Sequence, residues 1–384
     1  MNANSAGQRQ PGARAHWHDR LLGWRDRWLC DARFQRWVAR FPLTRPVARR
    51  HARALFDLCA GFVYSQVLLC CVRLRVLELL QPGPLTLTQI ASRLDLGAEA
   101  AETLLTAAAA LELIEQRRGQ RWGLGPLGAA LLGNAAVLRM IEHHPALYED
   151  LRDPVALLRH PQPRSQLAAL WPYARHREPR DLDAAQIGAY TTLMADTQAL
   201  VAEDVLDGYP IAQHRCLLDV GGGDGTFLAA AAARAPQLKL LLFDLPAVTQ
   251  RAQARLTAAG LAGRVEIHGG DFMLGALPMG ADLVTLIRVL HDHDDPAALS
   301  LLRSVRRALP PGGRVLLAEP MRDTPGALPG VTAYFACYLR AMGQGKPRSA
   351  PQIARLLLTA GFARTRLHPT ARPWQCALVT ATAI

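Results

Sequence analysis

Carboxylates and glycines gather at three points in the second half of this 384-residue chain, each at the end of a short apolar run. The first run, CLLDVG, carries Asp219 and continues through Gly221, Gly222, Gly223, Asp224 and Gly225. A glycine-rich turn after a first strand lets a ligand lie against backbone at the carboxyl edge of a sheet. A dinucleotide fingerprint counted from Gly221 would need glycine at 226, where Thr226 stands, and a pyrophosphate would be repelled by Asp219 and Asp224. A cationic ligand carrying an ammonium and a sulfonium would not be. The second run ends in Asp244, at the spacing of a carboxylate that accepts both hydroxyls of a ribose. The third ends in Gly269, Gly270, Asp271 and Phe272, an acid for an adenine amine beside an aromatic wall. A lone acid after a strand is ordinary helix capping, whereas acids after three consecutive strands point to a bound ligand.

A fourth run, ADLVTLIRVL, leads into His291-Asp292-His293-Asp294-Asp295. Neutral imidazole, with an ordinary pKa of about 6.5, can remove a hydroxyl proton at cellular pH. A helix cap is the plainer role for His291. Two histidines two apart could also share a metal, but Pro296 stands where a third ligand would complete the set, so no metal is expected. After Thr332 a helix would align Tyr334, Tyr338 and Met342, with Phe335 and Leu339 beside them. Nothing charged interrupts that stripe; it suits either an apolar substrate bearing one hydroxyl or plain core packing.

These residues need a frame. From Arg215 onward, apolar runs of four to eight residues alternate with helical stretches such as Thr226 to Ala235 and Asp294 to Leu309, a βαβ rhythm with a buried parallel sheet. FARTRLHPT and QCALVTATA, joined by a short loop, form an antiparallel edge. The fold class is therefore α/β with a Rossmann-like sheet. Upstream, Thr86 to Leu96 reads as a capped helix, Ala98 to Glu115 as a second helix, and Arg117 to Gly133 as two short strands, a winged helix. Its second helix carries Glu99, Glu102, Glu112 and Glu115 without Lys or Arg, so nucleic acid is not the expected partner. Expected divisions are a basic extension over 1–50, a helical winged part over 51–200 and the α/β part over 201–384.

Of the net charge of +12, +9 lies in residues 1–55, where twelve arginines meet three aspartates; the rest of the chain is nearly neutral. The same segment holds four of the seven tryptophans, and on a helix Trp17, Leu21, Trp24 and Trp28 share one stripe flanked by Arg20, Arg25 and Arg27. Such a stripe either packs on the fold or a partner subunit, or rests at a membrane interface. The most apolar uncharged run, Leu58 to Val72, is interrupted by Ser65 and Gln66 and falls short of the roughly 20 residues a span needs, and the slightly longer run Trp122 to Leu138 is broken by glycines and Pro126, so no membrane span is expected. The opening lacks a secretory pattern, and seven cysteines without a CxxC pair read as reduced thiols, which suggests a cytoplasmic protein that touches a membrane at most peripherally.

Taken in order, DVGGGDG, FDLP, GGDF, RVLHD and LPPGGRVLLAEP closely resemble S-adenosylmethionine-dependent O-methyltransferases of the caffeic-acid type. The resemblance spans about residues 55–384. It implies a class I methyltransferase sheet, a winged N-terminal domain that forms a homodimer, and S-adenosyl-L-methionine as cofactor. It further implies cofactor contacts from Asp219, Gly221, Gly223, Asp244, Leu245, Asp271, Phe272 and Arg288. His291 would be the general base with Glu319 behind it, and Met194, Tyr334, Tyr338 and Met342 would face the substrate. Two departures stand out: His293 replaces the aromatic after the His-Asp pair, and Pro347, in GKPRS, replaces a second acid that orients the histidine. The stretch from Arg33 to Leu74 resembles the opening of the 1-hydroxycarotenoid O-methyltransferases of photosynthetic bacteria, which implies an acyclic carotenoid with a tertiary C-1 hydroxyl as acceptor. Methyltransferases of bacteriochlorophyll or polyketide pathways share the cofactor residues, and a winged regulator that senses the cofactor is the non-enzymatic alternative.

Overall fold

The computed structural model describes residues 13–160, 165–170, 197–327 and 330–384. The chain divides into two compact units, Met1–Gly125 and Pro126–Ile384. That division lies well upstream of the boundary near residue 200 read from the sequence, because the helices Pro126–Leu132, Ala135–Asp150 and Pro154–Arg159 belong with the α/β unit.

In the first unit, α1 (Ala13–Cys30) and α2 (Ala32–Arg40) precede the long α3 (Arg45–Arg73) and the short α4 (Val76–Leu80). By length and composition α3 meets the requirement for a membrane-crossing helix, which corrects the expectation that no segment would. The expectation counted only the run after Leu58, whereas the helix starts at Arg45 and carries Ser65 and Gln66 without interruption. Its Leu55, Phe56, Leu58 and Phe62 are exposed.

The winged helix is present, with shifted boundaries. Thr86 caps α5 (Leu87–Leu94) in a reciprocal box with Gln89, and α6 (Ala98–Ala110) follows. The three-stranded sheet has the order β1 (Leu85–Thr86), β3 (Arg121–Leu124), β2 (Ile114–Arg117), all antiparallel. Only Glu99 and Glu102 of the four acids therefore lie on α6. Glu112 holds a left-handed φ of 59° at the helix-to-strand turn, and Glu115 is in β2. The residues from Pro126 to Leu132, read as strand, are a helix that starts with proline at its first turn.

The second unit is built on a seven-stranded sheet of order β6-β5-β4-β7-β8-β10-β9. β4 (Cys216–Val220), β5 (Lys239–Asp244), β6 (Val265–Gly269), β7 (Leu283–Ile287) and β8 (Arg314–Glu319) run parallel, and β9 (Phe362–His368) and β10 (Ala377–Ala383) close the edge antiparallel. Alternate residues feed two cores. Leu218, Val284, Leu286, Val315 and Leu317 pack with residues of helices Asp295–Ala308 and Ala350–Thr359, whereas Leu217, Leu283, Leu316 and Ala318 pack with Thr226–Arg234 and Pro246–Ala258. A strand buried on both faces reads as a continuous apolar run, which is why these five strands were legible. Strand order reverses between β4 and β7, so their carboxyl ends open a crevice where ligands of such sheets bind.

Candidate active site

The loop after β4 fits its glycines tightly. Gly221 has φ of +71°, its N–H donates to the Phe243 carbonyl at 2.8 Å, and a Cβ there would meet Val289 Cγ2 at 2.7 Å. Gly223 has φ of +60°, and its N–H donates to Asp244 Oδ2 at 2.8 Å, while Leu245 N–H donates to Oδ1 at 2.7 Å. Two amides thus fix the half-buried Asp244 carboxylate, leaving each oxygen a lone pair for a ligand hydroxyl. Burial pushes the Asp244 carboxyl up to about 6, although these amides oppose the shift. Asp219, beneath the loop, is pushed by burial up to about 7; the Thr285 hydroxyl, donating to its Oδ1 at 2.6 Å, opposes the shift, and the Asp244 charge adds to it. A cation brought between these acids would restore their ionisation, so the pair favours a cationic ligand on electrostatic grounds.

Asp224 does not share that task. Its Oδ1 accepts from Thr226 N–H and Oγ1 just ahead of the helix Thr226–Arg234, and its Oδ2 pairs with Arg255 at 3.2 Å. Both oxygens of Asp224 are thus engaged locally, by Thr226 and by Arg255, unlike those of Asp244. After β6, Asp271 Oδ1 accepts from Met273 N–H at 2.8 Å, and the Phe272 ring meets His293 edge-on at 5.4 Å between centroids.

Beyond β7, Arg288 takes a left-handed φ of 59°, its N–H donates to the Ala318 carbonyl, and Nη1 donates to Thr197 Oγ1 at 2.6 Å. His291 follows in the turn Leu290–Asp292 and is 8% exposed. Its Nδ1 contacts Glu319 Oε2, and its Nε2 lies 3.2 Å from Asp292 Oδ1. Glu319 Oε1 accepts from the amides of Val289 and Leu290, so one carboxylate holds both the imidazole and the loop that carries it. Burial alone would lower the His291 pKa, but the Asp292 and Glu319 carboxylates outweigh it and the pKa is raised. Burial pushes Asp292 up to about 6, against the opposing His291 charge, and pulls His293 down to about 4, helped by the His291 charge.

Two contributors escaped the sequence reading. Asp292 is the second carboxylate on the imidazole, a role the sequence reading sought at position 347, where it found Pro347. Arg348, 3% exposed, donates to the carbonyls of Leu290 and His293 and to Asp295, clamping the turn from outside. Lys346 N–H donates to the His291 carbonyl, and a Cβ on Gly345 would lie 2.2 Å from that oxygen, so GKPRS is the wall of the site even without its acid. No sequence spacing marked Arg348.

The helix Gly330–Met342 brings Phe335 to 6.4 Å from the His291 ring. Tyr334 and Tyr338 stack at 5.8 Å, and their hydroxyls meet His144 Nε2 and His143 Nε2, each at 3.1 Å. Burial lowers both histidines, His143 to about 4, and raises both phenols, so this wall is uncharged around neutral pH. Met342, 2% exposed, packs with Leu147, Leu157 and Leu339 in a core cluster against which Tyr334 and Tyr338 also pack. Met194 lies outside the described residues.

A family model for an O-methyltransferase domain matches residues 148–363. The chain belongs to the O-methyltransferase family. A second model, for the O-methyltransferase dimerisation domain, matches residues 56–134. The chain is 44% identical to the demethylspheroidene O-methyltransferase of Cereibacter sphaeroides over 91% of its own length and 92% of the relative's. It is 31% identical to the acetylserotonin O-methyltransferase of Mus musculus over 85% of this chain and 87% of that one. CalO1, a methyltransferase of calicheamicin biosynthesis in its SAH-bound form, superposes with a TM-score of 0.71 at 25% identity, covering 87% of this chain and 98% of that one.

This O-methyltransferase uses S-adenosyl-L-methionine, acts on a small molecule and carries the dimerisation domain of a homodimer. The residues present fit the cofactor: a glycine loop closed to any Cβ at Gly221, a ribose-ready Asp244, and buried acids that a sulfonium ligand would ionise.

The paired carboxylates on His291 also set a pH dependence. An imidazolium between two carboxylates cannot accept a proton, so if His291 is the base, turnover requires the His291–Asp292 pair to lose the one it shares. We expect kcat/KM to rise with pH through an apparent pKa above 6.5, which belongs to the pair and not to either residue. Asp292→Asn removes one negative neighbour, destabilises the imidazolium and moves this limb to lower pH. A limb that stays in place or moves up in the variant contradicts the pairing.

Proposed function

We propose that the enzyme transfers a methyl group from S-adenosyl-L-methionine to the tertiary C-1 hydroxyl of an acyclic 1-hydroxycarotenoid, with His291 as general base. The observation that carries this reading is the 44% identity over 91% of the chain to a demethylspheroidene O-methyltransferase. The uncharged wall of Tyr334, Phe335 and Tyr338 beside His291 supports it, because a long polyene offers no charge to pair.

When bound, the cofactor supplies an electrophilic methyl carbon on a sulfonium. The chain's residues do the rest. Asp244, held by the Gly223 and Leu245 amides, grips the ribose; Asp271 and Phe272 flank the adenine; Asp219 and Arg288 line the crevice between β4 and β7. Glu319 accepts from His291 Nδ1–H, which leaves Nε2 as the nitrogen that takes the acceptor's hydroxyl proton once Asp292 has yielded it. Phe335 and the two tyrosines exclude water, and holding the hydroxyl in line behind the methyl carbon supplies much of the rate.

The acceptor is a lipid-soluble polyene, so we place the dimer in the cytoplasm and at the surface of the inner or photosynthetic membrane. The test offers the purified enzyme a panel of acceptors: an acyclic 1-hydroxycarotenoid in detergent, a hydroxylated bacteriochlorophyll precursor and a polyketide phenol. Turnover of the carotenoid with kcat/KM well above both others is the expected result. Preference for the phenol, or for the tetrapyrrole, overturns the assignment.

A further inference from the structure

The first unit carries a face that neither domain match explains. The helices α1 and α2 lie before residue 56, where the dimerisation match begins. Across them runs a ladder of five rings. Trp24 meets Trp28 at 5.8 Å between centroids, Trp28 meets Phe34 at 5.0 Å, Phe34 stacks on Trp37 at 6.1 Å, and Trp37 on Phe41 at 5.2 Å. Trp24 and Trp37 remain 56% and 55% exposed, and Trp17, Leu21, Trp28 and Phe41 are exposed as well. Within the first unit, then, the Trp stripe is left exposed and is not packed away. So much aromatic surface left in water marks an interaction face.

Its charge says what covers it. Asp31 is occupied as the N-cap of α2, accepting from the amides of Arg33 and Phe34, and Asp26 is paired with Arg25 at 2.6 Å. Arg20, Arg33, Arg36 and Arg40 form no ion pair among the described residues. Two shallow grooves put guanidinium and ring together, one lined by Arg20, Arg27, Trp17 and Trp24, the other by Arg33, Arg36, Trp37 and Phe41. Indole rings favour the headgroup level of a bilayer, where one edge stays wet, and arginines beside them meet lipid phosphates.

We propose that the α1–α2 face docks on anionic phospholipid bilayers, with the ring ladder in the headgroup layer and the unpaired arginines on lipid phosphates. The inference rests on the lipid-soluble acceptor proposed above and names the surface through which the enzyme reaches it.

The test uses the full-length protein and needs no carotenoid for its first arm. Sedimentation with vesicles of phosphatidylcholine, with and without phosphatidylglycerol, should show partition onto the anionic vesicles only, reversed by high salt. Two variants, Trp24→Ala with Trp37→Ala, and Arg33→Gln with Arg36→Gln and Arg40→Gln, should each weaken that partition by at least about tenfold while remaining dimeric. In a second arm, both should keep wild-type turnover on detergent-dispersed acceptor and lose it on acceptor embedded in anionic vesicles. Absence of wild-type binding, or equal binding by the variants, overturns the proposal. Dissociation of the dimer in the Trp variant overturns it in favour of a second copy as occupant. Failure of turnover by the wild-type enzyme in detergent tells against the substrate assignment alone, because vesicle binding is scored without substrate.

Discussion

Asp244→Ala weakens binding of S-adenosylhomocysteine, measured by calorimetry, by roughly 10- to 150-fold, or about 1.5–3 kcal/mol. The size follows from the geometry. Both carboxylate oxygens are aimed by backbone amides, Gly223 at 2.8 Å and Leu245 at 2.7 Å, so little ordering remains to be done when a ribose arrives. Alanine removes the two ligand acceptors and leaves the Gly223 N–H without its partner. Asp244→Asn keeps one carbonyl acceptor and falls between wild type and alanine. Wild-type affinity in Asp244→Ala would place the ribose elsewhere and undo the reading of the β5 end.

The second large effect falls on turnover. Removal of His291 lowers kcat by about 10² to 10⁴ while affinity for the cofactor product stays near wild type, because in the proposed mechanism the imidazole acts on the acceptor and not on the donor. The His291→Ala variant also leaves Asp292 and Glu319 as two buried carboxylates without the cation between them, so its stability is measured alongside. His291→Gln keeps a hydrogen-bonding side chain between them and separates loss of the base from loss of fold. A tertiary alcohol is a weak acid, and positioning carries part of the rate. A folded variant that retains more than about a third of the activity would leave His291 a positioning residue only.

The α/β half was legible because burial on two faces writes itself as apolar runs, and Asp219, Asp244, Asp271, His291 and Glu319 stand at or just beyond the ends of those runs. What was misread has local causes. The helix α6 was extended to Glu115 because Ala and Leu continue past Ala110, with neither Gly nor Pro to mark the turn that Glu112 makes with a positive φ. Asp224 looked like a ligand acid, but two residues on, Thr226 donates its N–H and its hydroxyl to it. The histidines hydrogen-bonded to Tyr334 and Tyr338 lie 190 and 195 residues away in sequence, and Arg348 reaches the His291 turn from a loop singled out only for its missing acid. Such pairings are tertiary, and no spacing encodes them.

The acceptor atom is the centre of the account, and one measurement reads it directly. The enzyme is supplied with S-adenosylmethionine carrying a ¹³C-labelled methyl group and an acyclic 1-hydroxycarotenoid in detergent, and the purified product is examined by carbon NMR and mass. The account predicts one added methyl per reacting end, appearing as a methoxy carbon on the quaternary C-1. A label found on carbon, on a phenolic or carboxylic oxygen of another acceptor, or absent from the carotenoid altogether would contradict it.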